Sequence, residues 1–370
     1  MALARFWREI ACGFIVAVRW VAVDRWVLKG DSSEEEKVSK PLKIAVLGCW
    51  HVHAKDYARQ TQQHPGTELV AVWDDDLVLG RAGADEFGVP FAEDLEALLG
   101  GDVDGVIITT ATSAHRDIMV RAANAGKHIF TEKLLAPTVT EATEIIAAAD
   151  DSGVKLVVSL PRLAHGYTQA IREVIGSGRL GQLTYGRIRL SHDGAVPRGG
   201  AEGWLPQRFF DQQTAIGGAL TDLGCHPVYL LQLFLGADPE TVSAIYRSVA
   251  GRGLEDNAVV TIGYRDQKIG VVEAGFASRN PFTIEIFGTE GSLTYTEAGN
   301  ALCVSGPAFG GDERQLPVPD HGEGPFAQWV DHIDRDTRAD DNLTRAVELT
   351  RMVVAANQAA AQGRTISYAG

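Results

Sequence analysis

The sequence predicts an α/β chain of two domains, the first a doubly wound parallel sheet of dinucleotide-binding type, the second built on a large, mostly antiparallel sheet. Three observations carry this expectation. Short apolar runs alternate with helix-compatible stretches from Lys43 to Ser159. After Pro161 the alternation gives way to β-rich runs separated by Gly- and Asp-rich breaks. And 370 residues, 45% hydrophobic and 22% charged, suffice for two buried cores. The expected division is an N-terminal extension over 1–40, a nucleotide-binding domain over 41–160 and a substrate-binding and oligomerisation domain over 161–370.

In chain order, Lys43 to Leu47 is an apolar strand, ended by Gly48 and followed by a helix from Ala54 to Gln63. Glu68 to Trp73 is a second strand, running into Asp74-Asp75-Asp76, and Val103 to Thr109 is a third. Helices over Leu77 to Phe87 and Leu95 to Leu99 lie between them. A helix at Ser113 to Ala125, a strand at His128 to Thr131, a helix at Thr140 to Asp151 and a strand at Lys155 to Ser159 complete the alternation, which implies right-handed crossovers. A helix at Tyr167 to Ser177 then leads into strands at Leu183–Ser191, Thr241–Ser248, Asn257–Tyr264, Gly270–Ala277, Phe282–Phe287 and Ser292–Thr296, read as hairpins. Phe326 to Asp334 and Arg345 to Gln362 are closing helices.

A formal net charge of −14 disfavours nucleic acid or an anionic membrane as partner, since both call for clustered Lys and Arg. A small, largely uncharged substrate suits it better. Cys12, Cys49, Cys225 and Cys303 have no metal-type spacing, and their low density fits a reducing, cytoplasmic compartment without disulfides. Near the N-terminus, Arg19, Asp24 and Arg25 interrupt the apolar stretch Ile10 to Val18 before it could span a bilayer, and no small-residue cleavage site follows. The functional polypeptide is expected to begin at Val38, readable from a GTG start behind purine-rich codons for Glu34-Glu35-Glu36-Lys37.

The chemistry-bearing residues fall in three places. The loop after the first strand reads Gly48-Cys49-Trp50-His51-Val52-His53. A dinucleotide fingerprint would have glycines where Trp50 and His53 stand, so only the first glycine survives and the backbone approach to a pyrophosphate is altered. Asp74, ending the second strand, is placed to accept bonds from the adenosine ribose and to repel a 2'-phosphate, favouring NAD over NADP; otherwise Asp74 to Asp76 is a solvated turn. His51 and His53 have no third ligand nearby in sequence, so they are expected to contact cofactor or cap the helix, and no metal is expected. Finally, Lys133 after Glu132, and Asp222 and His226 in Gly217-Gly218-Ala219-Leu220-Thr221-Asp222-Leu223-Gly224-Cys225-His226, supply an ammonium, a carboxylate and an imidazole. Oxidation of a secondary alcohol needs a base near neutral pKa and a cation to hold the oxygen, and His226 and Lys133 fit those roles.

With these residues assembled, the chain from Pro41 to Tyr368 resembles the Gfo/Idh/MocA oxidoreductases, on Glu132-Lys133, Thr110 and His115, and Asp222, Gly224 and His226. The resemblance implies an N-terminal Rossmann domain, a C-terminal α/β domain with an open-faced sheet, bound NAD(H) or NADP(H), and sugars or polyols as substrates. By that similarity Lys133 holds the reacting oxygen, His226 exchanges the proton, Asp222 orients or polarises the pair, and Glu132 and Thr110 flank the cofactor, with Gly48, Trp50, His51, His53, Asp74 and His115 also on the cofactor side. Arg162, His165, Tyr167, His192, Asp193 and Trp204 lie on the expected substrate side, and Tyr229 is expected to bind substrate with them. A homodimer or homotetramer is implied as well. Two departures stand out: Leu134 replaces the usual Pro, and Tyr229 replaces a frequent second Asp. The leading expectation is an NAD-dependent dehydrogenase of a sugar or polyol hydroxyl. The alternatives are a glycosidase that transiently oxidises its substrate with held NAD, and a non-catalytic sugar or nucleotide sensor.

Overall fold

The computed structural model describes residues 40–199, 202–236, 238–279 and 281–368. The expected extension and its start at Val38 lie outside the described residues, Lys40 excepted. A first sheet is formed by β1 (Leu42–Leu47), β2 (Thr67–Trp73), β3 (Gly105–Ile108), β4 (His128–Thr131) and β5 (Leu156–Val158), all parallel, in the order β2-β1-β3-β4-β5. Ile44 to Leu47 and Val106 to Ile108 are fully buried, as strands covered on both faces must be. The strand order reverses between β1 and β3, which opens a crevice at their carboxyl ends.

Helices α1 (Ala54–Gln63), α2 (Leu77–Phe87), α3 (Leu95–Leu99), α4 (His115–Asn124) and α5 (Val139–Asp151) connect these strands. Local chemistry sets their ends. Asp76 Oδ1 accepts from the amides of Val78 and Leu79 at 2.9 and 3.1 Å, and Gly88 closes α2 with φ of 73°.

After α6 (Gly166–Gly176), β6 (Leu183–Ser191) and α7 (Cys225–Leu235) come β7 (Pro239–Arg247), β8 (Asn257–Tyr264), β9 (Ile269–Gly275), β10 (Thr283–Gly288), β11 (Ser292–Thr296), β12 (Ala301–Gly306) and β13 (Gly311–Leu316). Helices α8 (Pro325–Asp334) and α9 (Asp340–Gln362) and the short β14 (Ile366–Ser367) end the chain. The second sheet has the order β13-β12-β11-β10-β6-β9-β8-β7-β14 and is antiparallel except where β6 and β9 run parallel. Its inward residues, among them Ile188, Val260, Val272 and Ile284, pack with Leu230 and Leu231 of α7 and Leu349 of α9. The opposite face carries Arg187, bonded to Glu273 and Glu285, and the exposed Val259 and Ile245.

Helix α8 returns to the first sheet, where Phe326 and Trp329 pack with Tyr57 of α1 over Phe130. Strands β12, β13 and β14 were not expected; β13 (GDERQL) is an edge strand of exposed side chains that bears no apolar period. Helix α9 begins five residues before Arg345 because Asp340 and Asp341 form an acidic, solvent-facing first turn. Among the described residues, Cys49, Cys225 and Cys303 are free thiols, and no helix is long and apolar enough to cross a membrane.

Candidate active site

Strand β4 carries Glu132 and Lys133 out of its buried end, with the Glu132 amide bonded to Ile108 O at 3.0 Å. His115 lies fully buried behind this loop and donates from Nδ1 to Leu134 O at 2.9 Å, so it supports the loop from beneath. Burial pushes its pKa down to about 4, keeping it neutral. Facing the loop, Gly217 and Gly218 lead into a π-type turn, Leu220–Gly224, that runs directly into α7. The Glu255 carboxylate accepts from the amides of Gly218 and Leu220 and fixes the start of this turn. Any side chain at Gly224 would meet Ala274 of β9 at 2.8 Å, so glycine lets the turn lie against the sheet.

Lys133 Nζ donates to both Asp222 O and Asp222 Oδ1 at 2.7 Å, across 89 residues of sequence. The lysine side chain is 4% exposed and the aspartate 20%. Burial opposes both charges, yet each offsets that cost for the other: Asp222 is held far below the carboxylate range and Lys133 is raised. Asp222 is therefore no helix cap; it is the counterion of Lys133. His226, half-buried on the first turn of α7, pairs through Nδ1 with the Tyr229 hydroxyl at 3.0 Å, and that hydroxyl accepts from the Arg162 amide at 3.2 Å. Burial, then the charges of Lys133 and Arg162, push His226 well below the usual histidine pKa, so it is a neutral acceptor and not the base of near-neutral pKa that the sequence led one to expect.

Around this centre, Arg162 donates to the Tyr167 hydroxyl at 3.2 Å and lies over the Phe282 ring, and His165 packs on His321 with ring centroids 4.3 Å apart. Tyr167 is buried, stacked on Tyr295 beneath Arg162. His192 stacks on Phe276 and contacts the exposed Trp204, close enough to Asp222 to feel its charge. A cavity of about 390 Å³ opens in front of Lys133 and His226, lined also by His53, Tyr57, Glu132, Ser159, Arg162 and His165. Among these, sequence reasoning missed Tyr57 and Ser159: the Tyr57 hydroxyl sits between Glu132 and Ser159 Oγ, and the sequence places Tyr57 only within a polar helix.

At the cofactor loop, Gly48 has φ of 91°, and a side chain there would strike Thr110 at 2.5 Å. Asp74 is buried rather than a solvated turn: it accepts from the amides of Cys49 and Asp76, and burial lifts it to about 6. His53 occupies the N-cap of α1 without a side-chain cap bond, so its expected alternative role as a cap fails. Instead its Nδ1 lies 2.9 Å from Asp56 Oδ2. The missing third ligand for His51 and His53 exists in space, for Glu132 approaches both.

The outer part of the crevice suits the phosphate portion of a dinucleotide. A groove of about 270 Å³ between α1 and α2 is lined by Cys49, Val52, Lys55, Leu79, Gly83 and Arg208, placing two cations at the N-terminus of α1. Arg208, unforeseen from the sequence because the stretch around it has no period, also donates to Trp50 O at 2.6 Å. Between groove and inner cavity the passage is narrow: Trp50 packs on Phe209 in a tilted contact with ring centroids 4.7 Å apart, and beside them about 10 Å³ is free.

Residues 42–160 match the oxidoreductase family with an NAD-binding Rossmann fold, and residues 168–294 match the GFO/IDH/MocA C-terminal domain. The chain belongs to the Gfo/Idh/MocA oxidoreductases. Among its family relatives, dTDP-3,4-didehydro-2,6-dideoxy-alpha-D-glucose 3-reductase of Streptomyces violaceoruber is 28% identical over 306 residues, 80% of this chain and 86% of that protein. The scyllo-inositol 2-dehydrogenase (NAD(+)) of Bacillus subtilis is 31% identical, covering 68% of this chain and 73% of its own. GenD2 from gentamicin A biosynthesis, solved in complex with NAD, superposes with a TM-score of 0.75 at 25% identity over 93% of this chain and 100% of its own. As a Gfo/Idh/MocA member the protein is an NAD(P)-dependent oxidoreductase acting on CH–OH groups.

Proposed function

We propose that the protein moves a hydride between a hydroxyl of a sugar or polyol derivative and NAD, with NADP the less favoured cofactor, and that Lys133, Asp222 and His226 carry the reaction. The observation that carries this reading is an ammonium, paired with Asp222, that lines a 390 Å³ cavity together with a neutral imidazole. That volume lies within the usual range for small-molecule sites. Nicotinamide, when bound, accepts or returns the hydride.

The protein's own part is charge and proton placement. Lys133, kept protonated by Asp222, holds the substrate oxygen and stabilises the negative charge that grows as its proton leaves. His226 takes that proton at Nε2, provided Nδ1 carries the other proton and donates it to Tyr229. Tyr229 thus does for the imidazole what a carboxylate does elsewhere, without adding charge. Arg162, His165, His192 and Trp204 offer donors and aromatic faces to a ring, with Tyr167 setting Arg162. Gly48, Trp50, His51, Thr110 and Glu132 border the cofactor path, with His115 behind. Asp74, negative at the end of β2, disfavours a further phosphate on the ribose.

In this reading residues 41–160 serve the cofactor and 161–370 the substrate, in a cytoplasmic homodimer or homotetramer joined through the open face of the second sheet. The test is a calorimetric titration with NADH and NADPH followed by a sugar and polyol screen for NADH formation. No binding of either nucleotide, or unchanged turnover in both Lys133→Ala and His226→Ala, would overturn it.

A further inference from the structure

The loop that departs from the glycine fingerprint brings two imidazoles against a buried carboxylate. His51 and Glu132 are buried and His53 is exposed, and one ligand atom from each lies within 4.8 Å of the others. We propose that His51, His53 and Glu132 form a binding site for a divalent transition-metal ion such as Zn²⁺ or Co²⁺. Two imidazoles and one carboxylate are a donor set such ions favour, and three protein ligands leave a position open for an oxygen ligand.

Orientation supports the assignment. His53 Nδ1 is engaged by Asp56 at 2.9 Å, which leaves Nε2 free to ligate. His51 presents Nδ1 at 3.9 Å from Glu132 Oε1, while its Nε2 lies 3.6 Å from Asp222 Oδ1. Each imidazole therefore has a carboxylate at its other nitrogen, the arrangement that fixes the tautomer and ring plane of metal-bound histidines. His51 Nε2 is otherwise a buried nitrogen without a hydrogen-bond partner. An ion on Nδ1 would place the proton on Nε2, facing Asp222, at the expense of one long bond from the His53 amide at 3.3 Å. Glu132 Oε1, the oxygen that faces His51, also accepts from the Tyr57 hydroxyl, and Oε2 accepts from the Lys133 amide at 3.1 Å, so the carboxylate is fixed in place.

Distances and charge agree. Ligand atoms of a tetrahedral site with bonds of about 2.1 Å lie about 3.4 Å apart. The 3.9 Å separation of His51 and Glu132 thus closes by a small side-chain shift, and the exposed His53 has room to swing in. Glu132, Asp222 and Asp56 bring three carboxylates against two cations, Lys133 on Asp222 and Arg59 at 3.6 Å from Asp56, which leaves one negative charge in excess, while Arg162, the other cation of the cavity, faces Glu297 at 4.0 Å. A divalent ion offsets that excess. Its open position faces the cavity that Lys133 and His226 line, so the ion would take a hydroxyl or carbonyl oxygen of the substrate.

The site does not rest on the nicotinamide reading, so its test is run without nucleotide. Full-length protein is stripped with a chelator, dialysed, and titrated with Co²⁺ followed by visible absorption, then with Zn²⁺ by calorimetry. Expected are one ion per chain, d–d absorption that Zn²⁺ displaces, loss of both signals in His53→Ala and Glu132→Gln, and an affinity about 10–100-fold weaker in Asp56→Asn. Because His53 is exposed, His53→Ala tests the site with the core intact, checked by far-UV circular dichroism. Absent uptake in the parent protein, or uptake unchanged in folded His53→Ala, overturns the proposal. Separate titration with NADH then reports on the redox reading alone.

Discussion

Lys133→Met removes the ammonium and leaves the Asp222 carboxylate against a largely buried wall. Taking away one partner of a buried ion pair costs about 3–5 kcal/mol, because the survivor keeps its desolvation penalty. Asp222 remains 20% exposed and has His51 Nε2 at 3.6 Å, which puts the expected loss at the lower end, about 3 kcal/mol. The pH dependence follows from the two shifts. Asp222 is depressed in the fold, so its contribution is complete above the unfolded carboxylate pKa of about 3.9 and disappears as pH falls through the folded value. Lys133 is raised, so its contribution is complete below about 10.4 and is lost only as pH climbs through its folded value. The deficit of Lys133→Met should thus be constant between about pH 5 and 9 and shrink under stronger acid. The assay is urea unfolding of the parent, Lys133→Met, Asp222→Asn and the double variant at pH 7. A coupling energy under about 0.5 kcal/mol would refute the pair as described. In turnover, loss of the cation that holds the oxygen should cost about 10²–10³-fold.

His226→Ala should lower turnover by about 10²–10⁴-fold with the circular dichroism unchanged, and an intact rate would remove His226 from the chemistry. Since burial and two cations hold His226 well below its ordinary value, the neutral base persists on acidification. The oxidation rate should stay level through about pH 6.5, whereas an acidic limb centred there and absent from His226→Ala would contradict it. Trp50→Gly opens the passage that the Trp50–Phe209 contact narrows and should tighten NADH binding in calorimetry; weaker binding would mean the indole is itself a cofactor contact. Gly48→Ala forces a side chain into Thr110 at positive φ and should lower unfolding stability by about 1–3 kcal/mol, measured with urea.

What the sequence revealed of the fold depended on whether burial leaves a period. Strand β1 (LKIAVL) is covered on both faces and announces itself as an apolar run, as does β3. Strand β13 has only its hydrogen bonds to β12 to make it a strand, and no side-chain pattern betrays those. At the site the limit is sequence distance. Lys133 and Asp222 meet across 89 residues, Tyr57 and Glu132 across 75, and neither contact has a local signature. Lys133, Asp222 and His226 were legible as chemistry-bearing types and through a family pattern, while Tyr57, Ser159 and Arg208, which fit no pattern, were not. Asp74 was located correctly at the end of β2, but its burial, and the amides it binds, depend on how the Cys49 loop turns back over it.

That loop is where the chain departs most from the fingerprint, and the departures form one set. A glycine at position 50 would let backbone approach a phosphate; Trp50 instead packs on Phe209 and offers its carbonyl to Arg208, so a cation from the second half of the chain stands beside the N-terminus of α1. A glycine at position 53 would leave α1 bare at its start; His53 instead turns an imidazole toward Glu132, with Asp56 behind it. Both substitutions exchange backbone approach for side-chain chemistry. They do so on opposite sides of His51, whose ring lies between the outer groove and the Lys133 centre. A substrate oxygen in the inner cavity therefore meets two positive groups, the ammonium of Lys133 and any ion held by His51, His53 and Glu132. The two act in the same sense, drawing negative charge onto that oxygen while His226 takes its proton, so Glu132→Gln should depress turnover even where Lys133 is intact. Full activity in Glu132→Gln would confine the reaction to Lys133, Asp222 and His226.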